Sequence, residues 1–595
     1  MGVADSVRSD NGRFDYVNRH SFAYAFFLFA FLFIIAAFQL NSIRRSRILE
    51  EQIGELAAKL GEVKDPGGGQ FAAEPDDGLY PGDRGDWRIW GFSVEPRTLN
   101  PLSVERNIYT TWITQGAIFE SLLVYDFQTL KLKPHLAESY EVSDDGLEIT
   151  FTLRDDIYFS DGEPVTTDDV IFTYETVINP QVDAADLANL FNDVKEVVRV
   201  SDRVVKFIMK QVYFKSLENV CFWETGVFPK HIYQFEDAKE LNDHVSDPVG
   251  SGPYVFDKWD VGREVSLRRN DNYWGAKPKL EKIVYRFISN DVARVQALRA
   301  GDIDMLLPSA QQYGDLMAEE GFADKYNCMA YWNPAVPFFY ICWNNDNPLF
   351  ADKRVRRAMT HILDRDKIVS SLLKGNGKVV TGPFYHKSDA CDATIEPWPY
   401  DPEKAKQLLD EAGWVDSNGN GIRDKGGVEF SFKFTIPGSN TLSNRLGKLL
   451  KDSAAKIGIE VIVDPVEWSI LMTKVNDRQF EAVTMGCSGH ILQDPHRLWH
   501  SSQIGNRGAN YSGFSNATAD AIIEQGRRTL DEDKRAELYR QLHAILHEEQ
   551  PYTFLYTRPT FRIVDERFKN VKIYPLGLNY FQWYVPINMQ KYGSN

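Results

Sequence analysis

Residues 341–369, ICWNNDNPLFADKRVRRAMTHILDRDKIV, join a strand, a tight loop and a capped helix. Ile341 to Trp343 read as an apolar strand end, and Asn344 to Pro348 as a turn in which Asn side chains and a proline replace ladder pairing. Asp352 is placed to cap a helix, because a short carboxylate accepts hydrogen bonds from first-turn N–H groups. Beyond it Val355, Ala358, Met359, Ile362 and Leu363 recur at helical spacing, while Arg354, Arg356, Arg357 and Asp364 mostly face outward. The stretch therefore predicts a helix laid on a sheet, the unit of an α/β layer.

Outward from it the same alternation continues. Trp87 to Phe92 form an aromatic strand, and the prolines of SVEPRTLNP (93–101) stop further pairing. Ile108 to Tyr125 carry helical apolar spacing and end in FESLLVYD. In LKPHLAESYEVSDDGLEITFTLRDDIYFSDGEPVTTDDVIFTYE (132–175), Ile149, Phe151 and Leu153 alternate with Glu148, Thr150 and Thr152 as a half-buried strand. Thr166 and Thr167 before Asp168 and Asp169 begin a helix. GSGPYVFDKWDVGREVSLRRNDNYWG from Gly250, ARVQALRAGDIDM from Ala293 and KRAELYRQLHAILHEEQPYTFLY from Lys534 complete the series.

Together these segments resemble the extracytoplasmic solute-binding proteins of peptide-type ABC transporters (family 5), over about Trp87 to Asn588. An asparagine-bearing strand, a Pro-aromatic-x-Asp turn and a Val-Arg-x-Ala helix follow one another in that family, as does Pro-x-x-Leu-Asn-Pro before Phe-Glu-x-Leu. The resemblance implies an α/β, two-lobed, periplasmic-binding-protein-like fold with mixed sheets and a hinge. Lobe I is expected at 86–340, completed by 556–592, and lobe II at 341–555. Phe339 to Trp343 and Thr553 to Tyr556 are short apolar strands able to act as crossings.

With 595 residues the chain exceeds a single core. Its 43% hydrophobic and 25% charged residues exclude general disorder. The net charge of -17 argues against nucleic acid or an anionic membrane surface as the main partner. Residues 1–20 form an N-terminal tail, and Ser21 to Leu40 carry no charge, enough as a helix to cross a hydrocarbon core of ~30 Å. A retained single-pass transmembrane anchor is favoured over a cleaved signal, because no small-x-small site follows. Arg8, Arg13 and Arg19 on one side balance Arg44, Arg45 and Arg47 on the other, so charge leaves the orientation open. The family resemblance places the large domain outside the cytoplasm, in the periplasm. Residues 41–85 read as a helical stalk, coiled coil or plain linker, followed by a Gly/Pro tether.

Five scattered cysteines, Cys221, Cys328, Cys342, Cys391 and Cys487, lack metal-ligand spacing; one disulfide is allowed and at least one thiol is left over. No P-loop, G-x-S-x-G elbow, HExxH or GxGxxG is present, so the protein is not expected to be an enzyme. Ser488 in GCSGH is out of frame for an elbow. His543 and His547, at i, i+4, lack an acidic third ligand.

The binding candidate is FEAVTMGCSGHILQDPHRLWH (480–500). Ala482 to Met485 form a buried strand, and Gly486, Cys487, Ser488 and Gly489 let a ligand approach backbone N–H and hydroxyl groups. In the family this strand end lines the interlobe cleft, and the Trp of a Glu-Trp pair, here Glu467-Trp468, packs over the ligand. Asn344 joins the candidates from the strand end. The dipeptide-binding members place an Asp after the Gly-x-Thr-Gly loop for the peptide amino terminus, where this chain has His490. The position of their carboxylate-binding Arg falls near Pro437. Either Asp494 takes the ammonium and Arg445 the carboxylate, or the ligand is a longer or chemically different solute. The implied partners are a peptide or peptide-like solute, an ABC permease and the membrane, with a membrane-anchored sensor as the alternative and a cleft hydrolase the weaker one. Asp416, Asn418, Asn420, the Ile422 carbonyl and Asp424 also have the first spacings of a calcium loop, with Gly427 where the bidentate Glu would stand; an Asx-rich structural turn is the competing reading.

Overall fold

The computed structural model describes residues 85–592 apart from 183, 244–246, 337 and 506–507. The expected anchor at 21–40 and stalk at 41–84 lie outside the described residues. Among the described residues no helix is long and apolar enough to cross a membrane.

Two mixed sheets organise the body. The first has seven strands in the order Tyr326–Tyr331, Thr560–Asp565, Met305–Leu306, Trp87–Phe92, Lys282–Phe287, Glu264–Arg269 and Tyr254–Asp260. Trp87–Phe92 runs parallel to both neighbours, and the other pairs are antiparallel. A four-stranded antiparallel sheet, Ala137–Val142, Glu148–Leu153, Val204–Met209 and Val194–Arg199, extends this lobe. The second large sheet orders Lys378–Val379, Tyr552–Thr557, Phe338–Trp343, Ala482–Cys487, Ser431–Pro437 and Glu460–Val466.

The helix after the opening stretch is Lys353–His361, and Asp352 caps it by accepting from the Arg354 N–H at 2.9 Å. Its Val355, Ala358 and Met359 are fully buried against the second sheet's Ile341 and Trp343. Two expectations need correction. The helix from Ile108 stops at Thr114 rather than running toward Tyr125, because Gly116 turns the chain at φ +69° and Leu123–Tyr125 is a strand. Phe339–Trp343 and Thr553–Tyr556 are not the crossings. Both lie inside central strands buried on the two faces, and the chain passes between sheets in the short connections from Tyr331 to Phe338 and from Thr557 to Thr560.

The recurring motifs have structural causes. Glu120 of FESL, 2% exposed, accepts from Ser251 Oγ (2.9 Å), Tyr273 OH (2.6 Å) and Trp274 Nε1 (3.0 Å), and pairs with His135 Nε2 at 2.8 Å. A buried carboxylate is tolerable only when its lone pairs are satisfied in this way. Gly250 and Gly252 of GSGPY pass so close to the carbonyls of Ile118 and Ala117 that a Cβ would collide with backbone. At the mouth of the first sheet Arg567 ties Asp86 to Asp304, with Arg567 Nη2 at 2.8 Å from Asp304 and donating to the Trp87 carbonyl at 2.8 Å.

His543 is buried on the helix Glu532–Glu549; its Nδ1 accepts from the Asp392 N–H at 3.0 Å and Nε2 lies 3.0 Å from Thr381 Oγ1. His547 stacks on Trp398 with centroids 5.1 Å apart. Both are thus packing elements. Burial pushes His543 below the ordinary imidazole range and takes His547 and His386 down to about 4. A depressed folded-state pKa means the unfolded chain takes up protons that the folded chain refuses, so stability is present above the unfolded pKa of ~6.5 and is lost on acidification toward 4. A thermal melt is expected to fall steadily from pH 7 to pH 5. A flat profile would contradict these assignments.

Candidate functional site

The strand Ala482–Cys487 lies antiparallel to Phe338–Trp343, with Phe338 opposite Cys487 and Phe339 opposite Gly486. Alternation sends Phe338, Tyr340 and Met485 to one face, where they floor a cavity with room for water-sized molecules over about 320 Å³. The helix Trp468–Asn476, capped by Glu467 through the Ser469 N–H at 2.7 Å, supplies Trp468 and Met472 to its wall. Trp468 is 53% exposed, so it is a contact surface rather than core. Gly486, Cys487, Ser488 and His490 line the opening, followed by Asp494 and Arg497.

Six of the nine expected ligand-contact residues therefore meet at one cavity. Gly489 supports it from behind: buried, it packs on the carbonyls of Pro334 and Val336 in the first connection between the sheets, where a Cβ would collide. Asn344 is corrected to a turn residue. Its Nδ2 donates to the Phe480 carbonyl at 2.8 Å, and its Oδ1 accepts from the Asp346 N–H at 3.2 Å. Arg445 is exposed on the helix Thr441–Ala455, outside the cavity lining.

Electrostatically the cavity is close to neutral. Burial raises the Cys487 thiol to about 11, keeping it protonated, and all five cysteines are free. Desolvation, then the charges of Lys215 and Arg497, lowers the His490 imidazole below its ordinary range. Asp494 is already engaged: Oδ2 accepts from Arg527 Nε at 3.0 Å and from the Tyr213 hydroxyl at 2.8 Å, and Oδ1 from the His496 N–H at 3.0 Å. Tyr213 belongs to the lobe of the first sheet, so Asp494 joins the two lobes and is not a free ammonium acceptor. Arg497 lies in the quoted 480–500 segment but was missed because nothing local distinguishes it from any surface arginine. Among the described residues it has no carboxylate partner.

The calcium-loop residues form a closed turn. Asp416 accepts from the Gly419 N–H (2.7 Å) and Gly421 N–H (3.0 Å), Asn418 from the Asn420 N–H (2.9 Å), and Asn420 from the Ile422 N–H (2.8 Å). Asp424 accepts from the Ser417 N–H at 2.9 Å and hydroxyl at 2.7 Å. Because the turn uses its own oxygens, millimolar calcium is expected to leave the melting temperature unchanged; a clear rise would show a bound ion.

This cavity, set on a two-lobed α/β frame, belongs to a binding protein, and residues 131–508 match the bacterial extracellular solute-binding proteins, family 5. The chain belongs to that family. It is 34% identical over 470 residues to the oligopeptide-binding protein AppA of Bacillus subtilis, covering 76% of this chain and 84% of the relative. The structure of that protein in complex with a nonapeptide aligns with a TM-score of 0.71 and 31% identity, over 84% of this chain and 99% of the other. NikA from Brucella suis, in complex with Fe(III)-EDTA, aligns with a TM-score of 0.74 and 25% identity over 84% and 99%.

Proposed function

We propose that the chain captures a peptide or peptide-like solute between its lobes and delivers it to an ABC permease, tethered to the membrane through residues 21–40. The observation that carries this reading is the union of the Trp468 ring with the glycine-bearing strand end Gly486 to Ser488 at one half-open cavity. An indole face offers broad contact at low entropic loss, and exposed N–H groups beside glycine pair with an extended ligand backbone. Similarity to a protein solved with a nonapeptide supports a peptide in particular. Contacts from both lobes favour the closed state, whose shape differs from the open one and is what the permease reads.

Because Asp494 is consumed by Arg527 and Tyr213, a zwitterionic dipeptide finds no free carboxylate in this cavity. Calorimetric titration of the full-length protein is expected to give tight binding of a nonapeptide and weak binding of generic dipeptides. Submicromolar dipeptide binding with no nonapeptide binding would overturn this reading.

A further inference from the structure

Every residue lining the cavity falls between Phe338 and Tyr511, so the lobe of the second sheet builds it alone. Apart from ring hydroxyls and indoles, its hydrogen-bonding side chains come from one segment, Cys487 to Arg497. Much of the remaining surface is rings and thioethers: the buried Phe338, Tyr340, Phe384 and Trp499, with Met472 and Met485.

These rings are held from behind. Tyr340 stacks on Tyr552 with centroids 4.1 Å apart and planes 3° from parallel, Trp499 leans on the same ring at 4.7 Å, and Phe384 stacks on Tyr539 at 5.8 Å. Phe338 packs against Tyr340 at 5.6 Å and Phe554 at 6.0 Å. Tyr539, Tyr552 and Phe554 are themselves buried and lie outside the lining. A floor fixed in this way is preorganised, and a group that enters it need not order the walls.

An apolar cavity of about 150 Å³ is enough to hold a benzene ring. The room of about 320 Å³ here accepts a phenyl, phenol or indole, and a small side chain leaves most of it unfilled. Ring walls add offset and edge contacts and the two methionines add sulfur contacts to what area burial alone gives, and both favour an aromatic guest over an aliphatic one. A cationic guest is disfavoured: Asp494, the single carboxylate of the lining, is already paired with Arg527, and Arg497 adds positive charge. An extended peptide sends successive side chains to opposite sides, so one residue enters while the main chain stays at the opening, along Gly486 to Ser488.

We propose that this cavity is a side-chain pocket that takes one aromatic residue of the bound peptide, and that the protein selects peptides bearing phenylalanine, tyrosine or tryptophan. This rests on the peptide reading above. Because the pocket is complete within one lobe, the selection precedes closure.

The test titrates the full-length protein with a nonapeptide of alanine and serine and with the nine variants that carry a single phenylalanine at successive positions. At one position at least, phenylalanine is expected to tighten binding by about tenfold to 150-fold, the range for burying a large apolar side chain. Leucine at that position should give a smaller gain and lysine none. Ala509→Leu, which enlarges a buried lining residue, should bring the ratio of phenylalanine peptide to parent close to one. Met472→Trp should do the same from the helix wall, so the outcome does not depend on Ala509→Leu folding. Tyr213→Phe, outside the lining, should leave the ratio unchanged. No position reaching tenfold, a gain as large for leucine or lysine as for phenylalanine, a ratio that survives in both filled variants, or its collapse in Tyr213→Phe would overturn the proposal alone. Binding of no peptide in the set would overturn the peptide reading, and this proposal with it.

Discussion

Arg567→Met is expected to destabilise the folded body by about 3–5 kcal/mol, the effect of leaving buried carboxylates without their cation. Asp86 and Asp304 are both fully buried; Arg567 is the cation of Asp86 and the nearer cation of Asp304, at 2.8 Å against 3.6 Å for Lys591 Nζ. Their remaining bonds come from backbone: Asp86 accepts from the Tyr592 N–H at 2.9 Å and Asp304 from the Ile89 N–H at 2.8 Å. The cluster therefore fastens the first strand, the strand Met305–Leu306 and the C-terminal segment at one point. Burial already raises the Asp304 carboxyl above its ordinary range, against the pull of Arg567. Without that pull the folded state binds protons still more tightly, and a raised carboxyl pKa gives stability that is present at low pH and lost as pH rises. The deficit of the variant, measured by chemical denaturation, should be smaller at pH 4.5 than at pH 7.5. An equal deficit at both values would show that lost packing, not uncompensated charge, is responsible.

Asp494→Ala should weaken peptide binding by about 30-fold to 150-fold, corresponding to about 2–3 kcal/mol for charge-assisted hydrogen bonds. The side chain holds Arg527 within its own lobe and Tyr213 across the cleft, and Arg527 in turn lies 4.6 Å over the Tyr213 ring. Nearby, Arg535 sits 4.5 Å over Phe214, extending the same contact between lobes. Removing the carboxylate takes stabilisation from the closed form, and apparent affinity falls with the fraction of molecules able to close. Tyr213→Phe removes the cross-cleft bond without touching the cavity and should give a smaller loss in the same direction, about fivefold for a bond of about 1 kcal/mol. Small-angle scattering of the ligand-free protein should show the Asp494→Ala form more open. Unchanged affinity in both variants would mean that the tie is incidental to closure.

What could be read from sequence follows the range of the interactions. Asp352 before Lys353 and Thr166 before Thr167 are local caps, set by residues within one turn, and both helices begin there. The strand Ala482–Cys487 and the glycines after it were legible as a ligand edge because apolar run, turn residues and family resemblance coincide in one segment. The partners of Asp494 were not legible: Tyr213 lies 281 positions away, and nothing near either residue announces the other. Arg445 and Asn344 failed for the opposite reason. Each has the right chemistry, but the helix carrying Arg445 lies away from the cavity and the Asn344 amide is spent on the Phe480 carbonyl.

Mass spectrometry of the small molecules released on denaturing full-length protein, purified without refolding, addresses the central claim directly, because a closed cleft retains its ligand. A set of peptides longer than two residues, recovered near one per protein, is the predicted result. Recovery of a metal chelate, a haem or a sugar in their place would contradict it.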